Sequence, residues 1–293
     1  MFINYALWLL CMKFTRNILA NLKDSGRNVC IYSNSFSKFL YRYSPDSFSE
    51  FSSRLYYSWR GNKRPIPLVI ALKIMRDKQL SSINIDSFSV GGGNKVTPPN
   101  EKEISFYYFL GLILGDGCLV HAKRGIKKNT YLVQISFRNK TDAENIKRLV
   151  KNLFGLSASI YPGRGCYALC IFSKPLVLIL NKKYQIPIGL KYSLIRVPSI
   201  MNKANKKMQT AFLKGLFDSD GNIYLHRNKK SVQLRQKAYK FLKQTKGLFK
   251  KININFRDPY YDKANNSWVL WSSKKDLVDK FINEIINFKV MGL

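Results

Sequence analysis

The chain has 293 residues, 46% of them hydrophobic, and carries 50 Lys and Arg against 17 Asp and Glu, for a formal net charge of +33. That length and apolar content argue against a disordered chain and leave room for two domains, and a charge so far beyond the needs of solubility marks a polyanion as the expected partner. Five cysteines, odd in number and without a CxxC pair, argue against a disulfide framework or a zinc knuckle and fit an intracellular, reducing compartment.

The opening MFINYALWLLCMKFTRN has an apolar stretch of about eleven residues, short of the roughly 20 that span a bilayer. It also lacks the leading basic residues and small-residue cleavage site of a secretory signal. It is expected to be part of a buried helix, in a protein with no membrane span that is not secreted.

Residues 35 to 80 then predict a helix near 35–43, a turn carrying Pro45 and Asp46, and a second helix near 48–59 ending at Gly61. Ile66 to Met75 would form a third. The order fits a small all-α helix-turn-helix domain over 1–82, and SWRGNKRPIP resembles the end of a repressor-type recognition helix. Arg54, Arg60, Lys63 and Arg64 are its candidate DNA contacts. Residues 83–103, with a Gly triplet and paired prolines, read as a linker.

From 104 onward the same order of elements occurs twice, α-β-β-α-β-β-α, which predicts two repeats over 104–185 and 208–293 joined by 186–207. The first copy has helices near 104–115, 141–154 and 175–183, with strands near 118–124, 130–138, 157–161 and 166–173. The second has helices near 208–219, 238–250 and 275–287, with strands at 222–227, 231–236, 253–259 and 267–273. Several strands alternate apolar and polar residues. Gln134, Ser136 and Arg138 in the first copy, and Asn222, Tyr224, His226, Ser231, Gln233, Arg235, Asn253, Asn255 and Arg257 in the second, lie on the polar sides. Such side chains read base edges in a major groove.

Each copy opens on an unusual helix. FLGLILGDG (109–117) and LKGLFDSDG (213–221) are apolar helices that end on a carboxylate, Asp116 and Asp220, at equivalent positions 104 residues apart. Gly111 and Gly115 are matched by Gly215 and Ser219, and small residues four apart let two helix backbones approach closely. A carboxylate at a helix C-terminus is badly placed, and a second across the interface repels it. Divalent cations resolve both problems, and oxygen ligands favour Mg²⁺ over zinc. Two or more such ions suit phosphodiester hydrolysis.

These residues resemble the LAGLIDADG homing endonucleases, over roughly 101–293. The resemblance implies an α+β fold of tandem pseudo-twofold repeats whose motif helices form the central interface and whose sheets make a saddle over double-stranded DNA. It implies Asp116 and Asp220 as metal ligands, with backbone carbonyls of Gly115 and Ser219 nearby. A basic or polar residue after the second strand of each repeat would order active-site water: Lys237 in the second copy, Arg138 or Lys140 in the first. Leu114 stands where the second motif has Asp218, so only the final Asp is shared. His121 and His226 are not expected as ligands.

The function so implied is a monomeric, Mg²⁺-dependent endonuclease cutting a long asymmetric DNA site. The alternatives on this fold are an intron RNA maturase and a non-catalytic DNA-binding regulator. An intein is disfavoured, because the chain starts at Met and its end, FKVMGL, lacks the terminal His-Asn pair of splicing chemistry.

Overall fold

The computed structural model describes residues 29–48, 52–67, 70–71, 74, 86–90, 94–124, 128–192, 194–226 and 229–290. The apolar opening segment lies outside them. By packing, the chain divides into two units: one runs to Pro98 and takes in 154–156 and 173–183, and the other holds the remainder from Pro99.

In the first unit, β1 (Val29–Tyr32) passes into α1 (Asn34–Leu40) through Ser33. The Ser33 hydroxyl accepts from the Phe36 N–H at 3.1 Å, a side-chain cap that starts the helix. Beyond a 3₁₀ turn at Pro45–Phe48, Ser52 caps α2 (Ser53–Arg60) in the same way. The two helices are tied by the Tyr56 hydroxyl, which donates to the Leu40 carbonyl at 2.6 Å, and by the Ser37 hydroxyl, which donates to that of Trp59 at 2.9 Å.

This region is not the all-α domain the sequence suggested. β2 (Ile66–Pro67) and β3 (Ser87–Val90) flank β1 in a three-stranded antiparallel sheet. Ile66, expected to open a helix, is buried in that sheet, and the helical residues described beyond it are 70, 71 and 74. Nor is 83–103 simply a linker. Phe88 is buried, pairs with Ile31 and bridges back to Val96, an alternation hidden in a Ser-rich and Gly-rich context.

In the second unit each repeat opens on its motif helix. The first has α3 (Ile104–Leu114), β4 (Gly117–Arg124), β5 (Lys128–Phe137), α4 (Lys140–Phe154), β6 (Ser159–Gly163) and β7 (Cys166–Phe172). The next helix, α5 (Lys174–Lys182), was expected to close this repeat but belongs with the first unit. Leu176, Val177, Ile179 and Leu180 of α5 are all buried, and it packs on β3. The second repeat has α6 (Lys206–Asp220), β8 (Gly221–His226), β9 (Lys229–Gln236), α7 (Tyr239–Lys251), β10 (Tyr260–Asp262), β11 (Ser267–Ser272) and α8 (Lys275–Phe281). One π-helical turn, Ile282–Ile286, follows.

The sheets, ordered β4-β5-β7-β6 and β10-β11-β9-β8, are antiparallel with matching registers. Gly117 faces Ile135 in one, and Gly221 faces Leu234 in the other. On one face Leu119, Val133, Ile135, Leu169 and Ile171, or Val232, Leu234 and Leu270, are fully buried. The other face is open, although Cys170, Gln233 and Val269 on it are buried.

The strand expected at 253–259 is absent. Asn253 has φ 64°, which breaks the extended run, and Ile254 and Phe256 are buried in the core rather than in a sheet. Phe256 packs on Phe249 (5.1 Å between centroids) and Phe281 (6.1 Å). The period-2 burial of this segment comes from a loop lying across a core, which takes Asn253, Asn255 and Arg257 out of any strand.

Candidate active site at the ends of two crossed helices

Helices α3 and α6 meet backbone to backbone. A Cβ added to Gly111 would stand 2.2 Å from the Phe212 carbonyl oxygen, and one on Gly215 would stand 2.1 Å from that of Tyr108. The two glycines therefore form the crossing point, and Leu112, Ile113, Leu216 and Phe217 are buried around it. One turn on, a Cβ at Gly115 would meet the Ser219 side chain at 2.3 Å and an Asp220 carboxylate oxygen at 2.9 Å. The Ser219 hydroxyl turns back to donate to the Gly215 carbonyl at 2.9 Å.

α3 stops at Leu114, leaving Asp116 beyond its C-cap Gly115, while α6 runs through Asp220 itself. Asp116 is exposed and Asp220 half-buried. Burial raises the pKa of both, and Asp220, which also feels the Asp116 charge, is pushed up to about 7. A donor from the Gln236 amide to the Asp220 carboxylate and the ammonium of Lys191 oppose that rise.

Lys191 is the side chain between the two aspartates that the sequence reading missed. It sits in the inter-repeat connection, which is stitched to the first sheet by a parallel bridge from Ile188 to Leu119 and by the Gly189 N–H donating to the Leu119 carbonyl at 2.8 Å. Its ammonium donates to the carbonyls of Ile113 (3.0 Å), Leu114 (3.1 Å) and Gly115 at the end of α3. Burial lowers its pKa, and the charges of Asp220, Cys118 and Asp116 counter that. One cation thus balances a helix C-terminus and two carboxylates. Lys191→Met is expected to cost about 1–3 kcal/mol of stability through three carbonyls left without their charged donor. Urea denaturation would read this, and unchanged stability would mean that solvent replaces the ammonium at no cost.

A cavity lies beside each aspartate. The one at Asp116, about 270 Å³, is lined also by Ser136, Arg138, Asp142, Ser219 and Asn222. The one at Asp220, about 430 Å³, takes in Lys191, Tyr192, Arg235, Gln236 and Lys237. Arg138 and Lys237 thus occupy equivalent places, and Arg138 acts on the Asp116 charge. Lys140, the other first-repeat candidate, is the opening residue of α4 and lines neither cavity. Asp218, outside the shared motif, accepts from the Tyr108 hydroxyl at 2.9 Å and pairs with Lys214 at 3.0 Å.

Of the candidate base-reading residues, Asn222, Tyr224 and His226 are exposed on the open face of the second sheet, with Ser231 half-buried beside them. Gln233 is buried, opposite Trp271 on β11, and Arg235 is held by Asp262 (2.6 Å) and Ser267 (3.0 Å). Neither is free for a base as the sequence pattern suggested. Gln134 and Ser136 are half-buried on the open face of the first sheet. His121 stacks on Tyr131 at 4.3 Å, on the opposite side. Arg60 lies over the Tyr41 ring at 4.1 Å, with Lys63 and Arg64 exposed after it. All three belong to the first unit.

Among the described residues no group of three or more His, Cys, Asp or Glu could hold a metal ion. A cation here would rely on the two carboxylates, helix-end carbonyls and water. Those carboxylates, carbonyls and water form a hard oxygen donor set suited to Mg²⁺, Mn²⁺ or Ca²⁺, and burial pushes the pKa of the neighbouring Cys118 thiol up. The Gly115 carbonyl, expected as a ligand, is engaged by Lys191. Among the described residues no helix is long and apolar enough to cross a membrane.

Duplicated repeats, glycine-crossed helices and paired terminal aspartates define the LAGLIDADG architecture. Residues 207–285 match the family model for the LAGLIDADG-like domain. Among solved structures, that of I-DmoI in complex with DNA and Mn covers 65% of this chain and 99% of its own, at TM-score 0.51 and 23% identity. I-DmoI in complex with DNA and Ca covers 65% and 93%, at 0.52 and 23%. A DNA polymerase of Thermococcus litoralis is 26% identical over 162 residues, 54% of this chain. The match spans only 9% of that polymerase's length.

Proposed function

We propose that the protein is a divalent-cation-dependent endonuclease of the homing type, acting as an intracellular monomer on a long asymmetric duplex. The observation that carries this reading is the convergence of Asp116 and Asp220, one from each repeat, at the ends of helices too close to tolerate a side chain between them. Nothing in packing favours two carboxylates there, and hydrolysis of a phosphodiester does. The I-DmoI structures, which hold DNA with Mn or Ca, support the same reading.

Bound cations would supply an activated water and charge stabilisation of the leaving oxygen. Asp116 and Asp220 would hold them. Arg138 and Lys237, one in each cavity, would draw a backbone phosphate toward each carboxylate, and the two repeats would address opposite strands. Lys191 keeps the carboxylate pair from repelling itself apart before cations arrive.

The test selects bound duplexes from a randomised DNA library with Ca²⁺, then adds Mg²⁺ and maps cuts. Discrete double-strand cleavage at one selected site is expected. Selective binding without cutting would make the protein a regulator, and binding confined to structured intron RNA would make it a maturase.

A further inference from the structure

We infer that the two halves of the target are read by different chemistry, the first repeat recognising the methyl groups of thymines and the second the hydrogen-bonding edges of bases. This rests on the DNA-cutting reading above and names the kind of sequence that it requires. The two open sheet faces are related by the repeat, yet their side chains are not alike. In the second sheet the exposed residues of β8 on that face are Asn222, Tyr224 and His226, all able to donate or accept.

On the first sheet, register places Val120, Leu132 and Phe172 in one row across β4, β5 and β7. Ala122 and Ala168 share that face. Val120 and Leu132 are half-buried, Phe172 is 45% exposed, and Gln134 is the side-chain amide among them. Thr130, Ser159 and the half-exposed Tyr161 share this face, and Arg124 and Lys128 fall on it by register at the far strand ends.

An apolar row across the middle of an open face is an odd surface for a chain of net charge +33. Its position says what covers it. Ser136 and Arg138 continue the same face of β5 into the cavity of Asp116. A duplex with a phosphate at that carboxylate would therefore run its major groove along this row. The thymine C5-methyl is the apolar group that a major groove offers, and Ala, Thr methyl and Phe are side chains that meet it. Leu132, Val120 and Phe172 would gain by covering methyls, a gain that G·C pairs, which carry no methyl, do not offer. The half-site under the first repeat is therefore rich in A·T pairs.

Uracil differs from thymine in DNA by that methyl alone, which gives a direct test. On the selected duplex, thymines are replaced by uracil in one half-site at a time, and affinity is measured by fluorescence anisotropy in Ca²⁺. Each fully buried methyl lost should weaken binding ~4-fold, so replacement in the first half-site should cost roughly tenfold and replacement in the second less than about twofold. Leu132→Asn should abolish the thymine preference in the first half-site and leave the second half-site's affinity pattern unchanged. The uracil series on the unaltered protein stands even if that variant fails to fold. Equal effects in both halves, or none in either, would overturn the inference and assign the apolar face to a partner other than DNA. Absence of sequence-selective duplex binding would overturn the reading above along with it, whereas methyl-independent selective binding would overturn this inference alone.

Discussion

Asp220→Asn is expected to lower strand cleavage on the order of 1000-fold, about 4 kcal/mol of barrier, with duplex affinity in Ca²⁺ retained within a few-fold. The change removes a cation ligand without altering shape, and the Gln236 amide keeps an acceptor oxygen within reach. Metal-free stability should move the other way. The Asp220 carboxyl is held up to about 7, against an ordinary 3.8, by burial first and by Asp116 second. Below about pH 4 the folded and unfolded chains both carry the proton, so the group costs nothing. Between 4 and 7 the unfolded chain ionises first, and native stability falls as pH rises. Above 7 the cost is constant, on the order of 4 kcal/mol. In EDTA the asparagine variant should therefore match the unaltered protein at pH 4 and be more stable at pH 8, as read by chemical denaturation. Undiminished cutting, or a variant less stable at pH 8, would remove Asp220 from the role assigned to it.

Gly215→Ala is expected to cost roughly 4–5 kcal/mol or more, the range in which overpacking of a core becomes exceptional. The added methyl would stand 2.1 Å from a backbone oxygen of α3, and a backbone cannot yield as a flexible side chain can. The fold offers its own control. Gly247 lies within α7, where a Cβ meets nothing within 4 Å. Gly247→Ala should therefore stabilise by about 1 kcal/mol through helix propensity. Denaturation midpoints of the pair decide the matter: like responses to the two substitutions would mean that the helices do not cross at Gly215.

The two repeats were readable because duplication tests itself. A Gly-rich apolar helix ending on Asp, followed by paired alternating strands, is weak evidence once and strong evidence twice. Their elements fall close to the expected residues, apart from the segment at 253–259. There Ile254 and Phe256 alternate as a strand would, but the alternation records contact with Phe249 and Phe281, and sequence period alone cannot tell a sheet from a loop laid on a core. The strands of the first unit were missed for the opposite reason: β2 is two residues and β3 four, too short for any period to register. Lys191 was invisible because it is one of 50 Lys and Arg and lies in a connection without a motif. Its role comes from the Ile188 bridge that lays the connection along β4, a long-range contact with no local signature.

The hydrogen bond from Tyr108 to Asp218 bears on how the two repeats choose each other. The residues 104 positions away by the internal duplication are Phe212 for Tyr108 and Leu114 for Asp218. The helix pair therefore has one polar latch and one apolar counterpart. Two copies of the first repeat would set the buried Tyr108 hydroxyl against Leu114, with no acceptor, and two copies of the second would set Asp218 against Phe212, leaving it Lys214 of its own helix but no donor from across the pair. Each self-pairing loses the latch, and only the mixed pair keeps it. Expressed as separate polypeptides, the halves would sort into mixed pairs and shun their own kind, so a chain that arose by doubling has diverged into two parts that no longer substitute for one another.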